Sequence, residues 1–219
     1  ADLDRIVRQA YLDYDFKRVF HTLSNFMTVE LSSLYFDIRK DALYCDPLSS
    51  NVRQSCQTVM HEVFMCLTAW LAPIMCFTAE EVWLSRFPSD VDSVHLRTFP
   101  DVPAEWRDDA LAAKWSKIRQ LRRVVTGALE IERREKRIGS SLEANPTVYV
   151  SDKALLDAMA GIDLAEIAIT SQAKLVEGEA PEGAFRLEDV PGVGVVPARA
   201  EGKKCARSWK ILPDVGTVP

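Results

Sequence analysis

Basic side chains concentrate between residues 114 and 137, and their type and spacing are the strongest chemical signal in the sequence. Nine lysines and arginines stand there against three glutamates, in a chain whose net charge is −5. At about 100° per residue, the arginines gather on one side of a helix and the apolar residues on the other. We call the first set the arginine face, and it comprises Arg119, Arg122, Arg123, Arg133, Arg134 and Arg137. Lys136, from the same segment, is a further candidate.

The arginine face fits an RNA partner. A guanidinium group binds phosphate through paired hydrogen bonds and stacks on bases, and a cationic strip on an acidic protein attracts anions. Trp106 and Trp115 lie near enough in sequence to stack on the bases of a single-stranded RNA, although their helical spacing also suits a core. The plainer alternative is a solvated face whose charges pair with Glu130 and with neighbouring helices.

Motifs that would carry catalysis are incomplete. His61 and Glu62 begin the pattern of a zinc-protease helix, but Met65 occupies the position of the second histidine. Residues 192–194 begin a glycine-rich dinucleotide loop, but Pro197 stands where its last glycine should be. We therefore predict that this chain has no catalytic residue and no cofactor of its own.

Composition indicates a cytoplasmic globular protein. The 219 residues are 47% hydrophobic and 27% charged, which suffices for a core without disulfides or metals. Five cysteines, an odd number, predict free thiols in a reducing compartment. No apolar run reaches the roughly 18 to 20 residues of a membrane span. We expect both ends to be boundaries within a longer chain, because the first residues already follow a helical pattern.

Apolar residues recur every three or four positions through the first two thirds of the chain, which predicts helices. The predicted helices cover residues 15–40, 51–72, 78–86 and 105–137. Thr78 and Glu81 form a capping-box pattern, so the third helix should begin at Thr78. Residues 88–104 are rich in proline, aspartate and serine, and we predict a surface connection there.

The pattern changes after Gly139 to β-branched and glycine-rich stretches. We predict strands at residues 147–150, 166–176, 185–187 and 194–200, with a short helix from residue 151 or 152 to residue 160. The predicted fold class is therefore mainly α. It consists of a helix bundle over residues 1–140, followed by a small α/β subdomain over residues 141–219.

Several segments resemble the bacterial type of isoleucyl-tRNA synthetase, a class I aminoacyl-tRNA synthetase, in its C-terminal anticodon-binding region. The most specific is the pattern Ser-x-x-Tyr-x-Asp-x-x-Lys-Asp-x-Leu-Tyr at residues 32–44. Residues 14–21, 71–83 and 128–144 carry further matches in the same order. The match runs from about residue 10 to residue 212. Two alternatives remain: the corresponding domain of a valyl- or leucyl-tRNA synthetase, and a helical scaffold that binds protein.

The resemblance implies that the helix bundle over residues 1–140 holds the anticodon stem and loop of isoleucine tRNA. It also implies that the full-length enzyme attaches isoleucine to this tRNA using ATP and Mg. The catalytic and editing domains that perform this chemistry lie elsewhere in the same chain and are its expected partners. We further expect a monomer with no membrane partner.

Members of this family usually end in a small zinc module with two Cys-x-x-Cys pairs. Cys205 lies where the first pair should begin, but Ser208 replaces its second cysteine. One thiolate cannot form the four-ligand site of structural zinc. We therefore predict a degenerate zinc position, with the small subdomain truncated before or within the module.

Overall fold

The structure, a computed structural model, describes residues 1–217, and it divides into two compact units. The first unit is Ala1–Arg107, and the second begins at Asp108. The division predicted near residue 140 lies inside the second unit, because the long helix that precedes it packs against the sheet that follows it. The border between the compact units lies at residues 107 and 108, not at residue 140. The domain boundary at residue 140 stays a prediction.

The first unit is helical. Its α-helices are α1 (Asp2–Leu12), α2 (Phe16–Asn25), α3 (Asp37–Tyr44), α4 (Asn51–Leu71) and α5 (Cys76–Arg86). Carboxylate and hydroxyl groups start two of them: Asp15 accepts from the amide of Arg18, and Ser50 accepts from the amide of Arg53. The prediction for α4 is confirmed. Its register places Cys66 and Trp70 in a core with residues of α1 and α2.

The helix predicted over residues 15–40 is helical from Phe16 to Tyr44, but its middle part, Phe26–Phe36, is a π-helix. Two hydroxyl groups there donate to backbone carbonyls of the preceding turn. Thr28 donates to the carbonyl of Ser24 at 2.9 Å, and Ser33 donates to that of Thr28 at 2.8 Å. Such bonds compete with the regular α-helical pattern. Apolar spacing alone did not reveal the wider turn.

One prediction for residues 78–104 is wrong, and the predicted surface connection holds with one exception. Helix α5 begins at Cys76, so Thr78 lies inside its first turn and does not cap it. The segment after α5 is not simply a surface connection, because Val94 is 1% exposed and packs with Trp83. The carboxylate of Glu80 holds this segment by accepting from the amide of Val94 at 2.9 Å. A buried residue in a proline-rich stretch leaves no periodic pattern in the sequence.

The second unit combines the long helix α6 (Asp109–Arg134) with a small mixed sheet. The elements after α6 are β1 (Thr147–Val150), α7 (Lys153–Ala158), α8 (Leu164–Ala168), β2 (Lys174–Glu177), β3 (Phe185–Leu187) and β4 (Val190–Val196). The sheet has the order β2–β1–β4–β3, in which β1 and β2 are parallel and the other pairs are antiparallel. A separate hairpin follows, formed by β5 (Lys203–Lys204) and β6 (Ile211–Leu212). The predicted fold class, mainly α with a small α/β portion, is confirmed.

The strand predicted over residues 166–176 is wrong in its first half. Asp163 accepts hydrogen bonds from the amides of Ala165 and Glu166, which starts helix α8 in a segment made mostly of helix-forming residues. The strand begins only at Lys174. The last predicted strand also lies earlier than expected, at Val190–Val196 instead of residues 194–200.

Among residues 1–217, no helix combines the length and the apolar character that crossing a membrane requires.

Candidate nucleic-acid interface

Helix α6 is the support of the arginine face. Its N-cap is Asp108, whose carboxylate accepts from the amide of Leu111 at 2.8 Å. One side of the helix is buried and packs on β3, β4, α7 and α8 of the same unit. The buried residues are Ile118, Leu121, Val124, Val125, Ala128 and Leu129. The predicted placement of the apolar residues on one side of this helix is therefore confirmed.

Five of the predicted site residues lie on α6, and two lie beyond it. Arg119, Arg122, Arg123, Arg133 and Arg134 are helical. The helix ends at Arg134, and Lys136 then adopts a φ of 58°, which turns the chain. Lys136 and Arg137 therefore belong to the turn after the helix. The expectation that Arg137 continues the helical face is wrong.

Arg122 and Arg123 hold α6 against its own unit. The Nε of Arg122 donates to the carbonyl of Ile167 in α8 at 2.9 Å. The guanidinium of Arg123 pairs with the carboxylate of Asp189, between β3 and β4, at 2.5 Å. These two side chains thus contact elements on either side of the helix. Neither contact was predictable from helical spacing alone.

Arg137 closes the end of the helix. Its guanidinium donates two bonds of 2.6 Å to the carboxylate of Glu132 and also bonds Glu135. Hydrogen bonding by this guanidinium holds the pKa of Glu132 below its ordinary value, and the same bond raises the pKa of Arg137. The paired geometry is the stronger form of a charge-assisted hydrogen bond. Arg137 thereby orders the turn in which Lys136 lies.

The remaining candidate residues, Arg119, Arg133, Arg134 and Lys136, are exposed. Arg133 pairs with Glu130 at 3.6 Å, and both side chains are more than half exposed. Exposed pairs of this kind contribute little free energy, so a phosphate group can replace the glutamate at low cost. Arg133 and Arg134 lie in the last turn of α6, where the partial negative charge of the helix C-terminus stabilises cationic side chains. This structural role does not require an RNA partner.

The two tryptophans predicted as stacking candidates differ in exposure. Trp106, in the first unit, is more than half exposed, whereas Trp115 on α6 is half-buried. An exposed aromatic that was not predicted is Trp209, in the turn between β5 and β6. Its signal in the sequence is the basic run Lys-Lys-Cys-Ala-Arg-Ser-Trp-Lys at residues 203–210, which we considered only as a zinc position.

The degenerate zinc position is a closed turn. Hydrogen bonds from the Ser208 hydroxyl, from the Ser208 and Arg207 amides and from the Trp209 amide lower the pKa of the Cys205 thiol. One thiol and one hydroxyl do not fit the four-ligand site of structural zinc. Over the described part of the chain, no group of three or more His, Cys, Asp or Glu side chains is placed to hold a metal ion.

Comparison with known proteins supplies a family. The family model described as the anticodon-binding domain of tRNA ligase matches residues 2–148. Over its full 219 residues the chain is 58% identical to isoleucine–tRNA ligase of Brucella abortus and 56% identical to that of Agrobacterium fabrum. It is 50% identical to the enzyme of Bartonella quintana over 218 residues. The chain spans about a fifth of the length of these curated relatives, since each match covers 22% of the relative. With two thirds of its residues inside the family model, the chain belongs to the family of anticodon-binding domains of tRNA ligases.

Proposed function

We propose that this chain binds the anticodon stem and loop of isoleucine tRNA, as part of an isoleucine–tRNA ligase. The names of the relatives support isoleucine as the amino acid of the tRNA, and the matched family supports the anticodon region as the part of the tRNA that is bound. The proposed enzyme attaches isoleucine to its tRNA with ATP and Mg. The residues for that chemistry belong to the remainder of the enzyme. The proposed enzyme is a monomer, and it acts in the cytoplasm.

The observation that carries the proposal is the exposed cationic end of α6. Arg133, Arg134 and Lys136 lie within four residues of one another at the helix end, and Glu130 is the carboxylate that pairs with Arg133. Phosphate groups of an RNA release counterions when they replace such weak pairs, which makes binding favourable and dependent on salt. A neutral protein partner offers no such gain, because it carries no condensed counterions to release.

The predicted site residues take different roles in this proposal. Arg119, Arg133, Arg134 and Lys136 contact the RNA. Arg122 and Arg123 position α6 through Ile167 and Asp189, and any contact they make with RNA uses their remaining N–H groups. Arg137 positions Lys136 through its bonds to Glu132.

The test is the double variant Arg133→Ala/Arg134→Ala, measured for affinity to isoleucine tRNA over a salt series. Each lost phosphate contact should lower the affinity roughly tenfold and reduce the slope of log affinity against log salt by about 1. The control is Lys153→Ala/Lys174→Ala, which removes the same charge from exposed positions of α7 and β2. Equal weakening by both variants would mean that net charge alone governs binding and would overturn the proposal.

A further inference from the structure

A cavity of about 550 Å³ opens in the first unit beside helix α4. Its volume lies in the range of small-molecule sites, which is about 300 to 1,000 Å³. The start of α1, the start of the π-helix, the middle of α4 and the segment before α6 form its walls. The aliphatic part of the lining comprises Leu3, Val59, Val63 and Val102. Such walls favour a ligand with an apolar body.

Three aromatic side chains line the same cavity: Phe26, Trp70 and Trp106. Trp70 is 4% exposed and is fixed by its core packing with α1 and α2, whereas Trp106 is 54% exposed. The exposure of Trp106 leaves the cavity accessible from solvent on that side. The faces of aromatic rings attract cations, and rings gathered around one space are a known means of binding organic ammonium ions.

Glu62 places a carboxylate in this apolar lining. The residue is half-buried, and it makes no hydrogen bond or ion pair with any other group of residues 1–217. Together with burial and with Asp4, its charge raises the pKa of the Cys66 thiol, which lines the cavity as well. Withdrawing an unpaired charge from water costs free energy. Fold stability therefore gives no reason for a carboxylate at this position, whereas a cationic ligand does.

Two arginines of the elements that form these walls pair with other carboxylates. Arg8 pairs with Asp4 at 2.8 Å, and Arg107 pairs with Asp2 at 2.7 Å. The first unit thus neutralises these acidic side chains internally and leaves the carboxylate of Glu62 available to a cation from outside.

We propose that this cavity is a binding site for a small organic ammonium ion with an aromatic or branched aliphatic body. The ammonium group pairs with Glu62 and contacts the aromatic lining, and the apolar body packs against Val59, Val63 and Val102. A neutral molecule of the same shape gains only the apolar contacts, and the carboxylate repels an anion. The inference goes beyond the proposed function, since it involves neither RNA nor any residue of the arginine face.

The experiment titrates the full 219-residue chain with 2-phenylethylammonium and with 2-phenylethanol, a neutral molecule of the same size. Binding is followed through the indole N–H signals of Trp70 and Trp106 in NMR spectra. The ammonium ion should bind roughly tenfold more tightly than the alcohol or better, because a charge-assisted hydrogen bond and a cation–π contact together contribute at least that much.

Glu62→Gln should abolish this preference and leave the affinity for the alcohol unchanged. Its unfolding midpoint should stay equal or rise, because the variant no longer holds an unpaired charge away from water. The matched control is Glu81→Gln, which removes the same charge from an exposed position of α5 outside the cavity and should keep the preference. Trp106→Leu should weaken binding of the ammonium ion more than binding of the alcohol.

Equal affinity of the unaltered chain for the ammonium ion and the alcohol would refute the site, and so would titrations that move neither indole signal. If Glu62→Gln keeps the preference, or if Glu81→Gln loses it to the same extent, the carboxylate of Glu62 does not bind the cation and the inference is overturned. A lower unfolding midpoint of Glu62→Gln would give that carboxylate a structural role and overturn the inference too. The proposed binding of tRNA is unaffected by any of these results.

Discussion

Replacing Ser171 by alanine tests how the second unit positions its terminal hairpin. The hydroxyl joins the amide of Ile211 to the carbonyl of Leu142, and Ser171 is 6% exposed. Each backbone group left buried without a partner costs about 1–3 kcal/mol. With two such groups and partial relaxation, we expect Ser171→Ala to lower the free energy of unfolding by about 2–4 kcal/mol.

The structure can relax after this substitution by local detachment of the hairpin formed by β5 and β6, and this gives the prediction a second measurable effect. If the hairpin detaches, water satisfies the Ile211 amide, so its hydrogen exchange should accelerate more than that of amides in β1 and β4. The assays are urea unfolding and amide exchange.

The matched control is Ser140→Ala, because Ser140 is an exposed serine whose hydroxyl does not cap the turn that follows it. It should change the free energy of unfolding by less than about 0.5 kcal/mol. A loss of that small size for Ser171→Ala, with unaltered exchange at Ile211, would refute the reasoning about the hairpin anchor.

Two further predictions concern pH. The pKa of Glu132 is lowered by its bond from Arg137, from an ordinary value of 4.5; such a group adds stability above its unfolded pKa that disappears as pH falls through the folded one. Arg137→Ala should therefore lower the thermal midpoint at neutral pH, and this loss should shrink as the pH falls below the ordinary pKa of Glu132. A loss of the same size at every pH would contradict the pairing. Burial raises the pKa of Tyr11 to about 12, and its hydroxyl donates to the carbonyl of Trp70 at 2.5 Å. The stability that this hydroxyl contributes is complete below about pH 10 and declines as the pH rises through the folded pKa of Tyr11. Tyr11→Phe should remove that decline and should lower the free energy of unfolding by about 1 kcal/mol at neutral pH. The control is Tyr14→Phe, at an exposed tyrosine.

Elements with a regular pattern were predictable from sequence. Strand β1 matches its predicted bounds because β-branched residues alternate there between turn-forming segments. Helix α4 matches because Ser50 supplies a cap and the apolar spacing persists to Pro73. The failure at α8 has a different cause: the segment consists mostly of helix-forming residues behind an Asp163 cap, but the apolar pattern of Ile167 and Ile169 was interpreted as a strand.

The candidate interface was predictable as a face but not in its details. Helical spacing placed the arginines opposite the buried side of α6, and five of the six do lie on that helix. It could not reveal that Arg123 pairs with Asp189, which is 66 positions away in sequence. Nor could it place Lys136 and Arg137 beyond the helix end, because that depends on the positive φ of Lys136. The exposure of Trp209 likewise depends on the fold of the hairpin.

The most direct test of the central claim compares the affinity of this chain for isoleucine tRNA with its affinity for the same tRNA lacking the anticodon stem and loop. Both should be measured across a salt series at constant pH. The account predicts that removal of the stem and loop lowers the affinity by tenfold or more, roughly the loss of one or two phosphate contacts, and flattens the salt dependence. Equal affinity and equal salt slope for the two RNAs would contradict it.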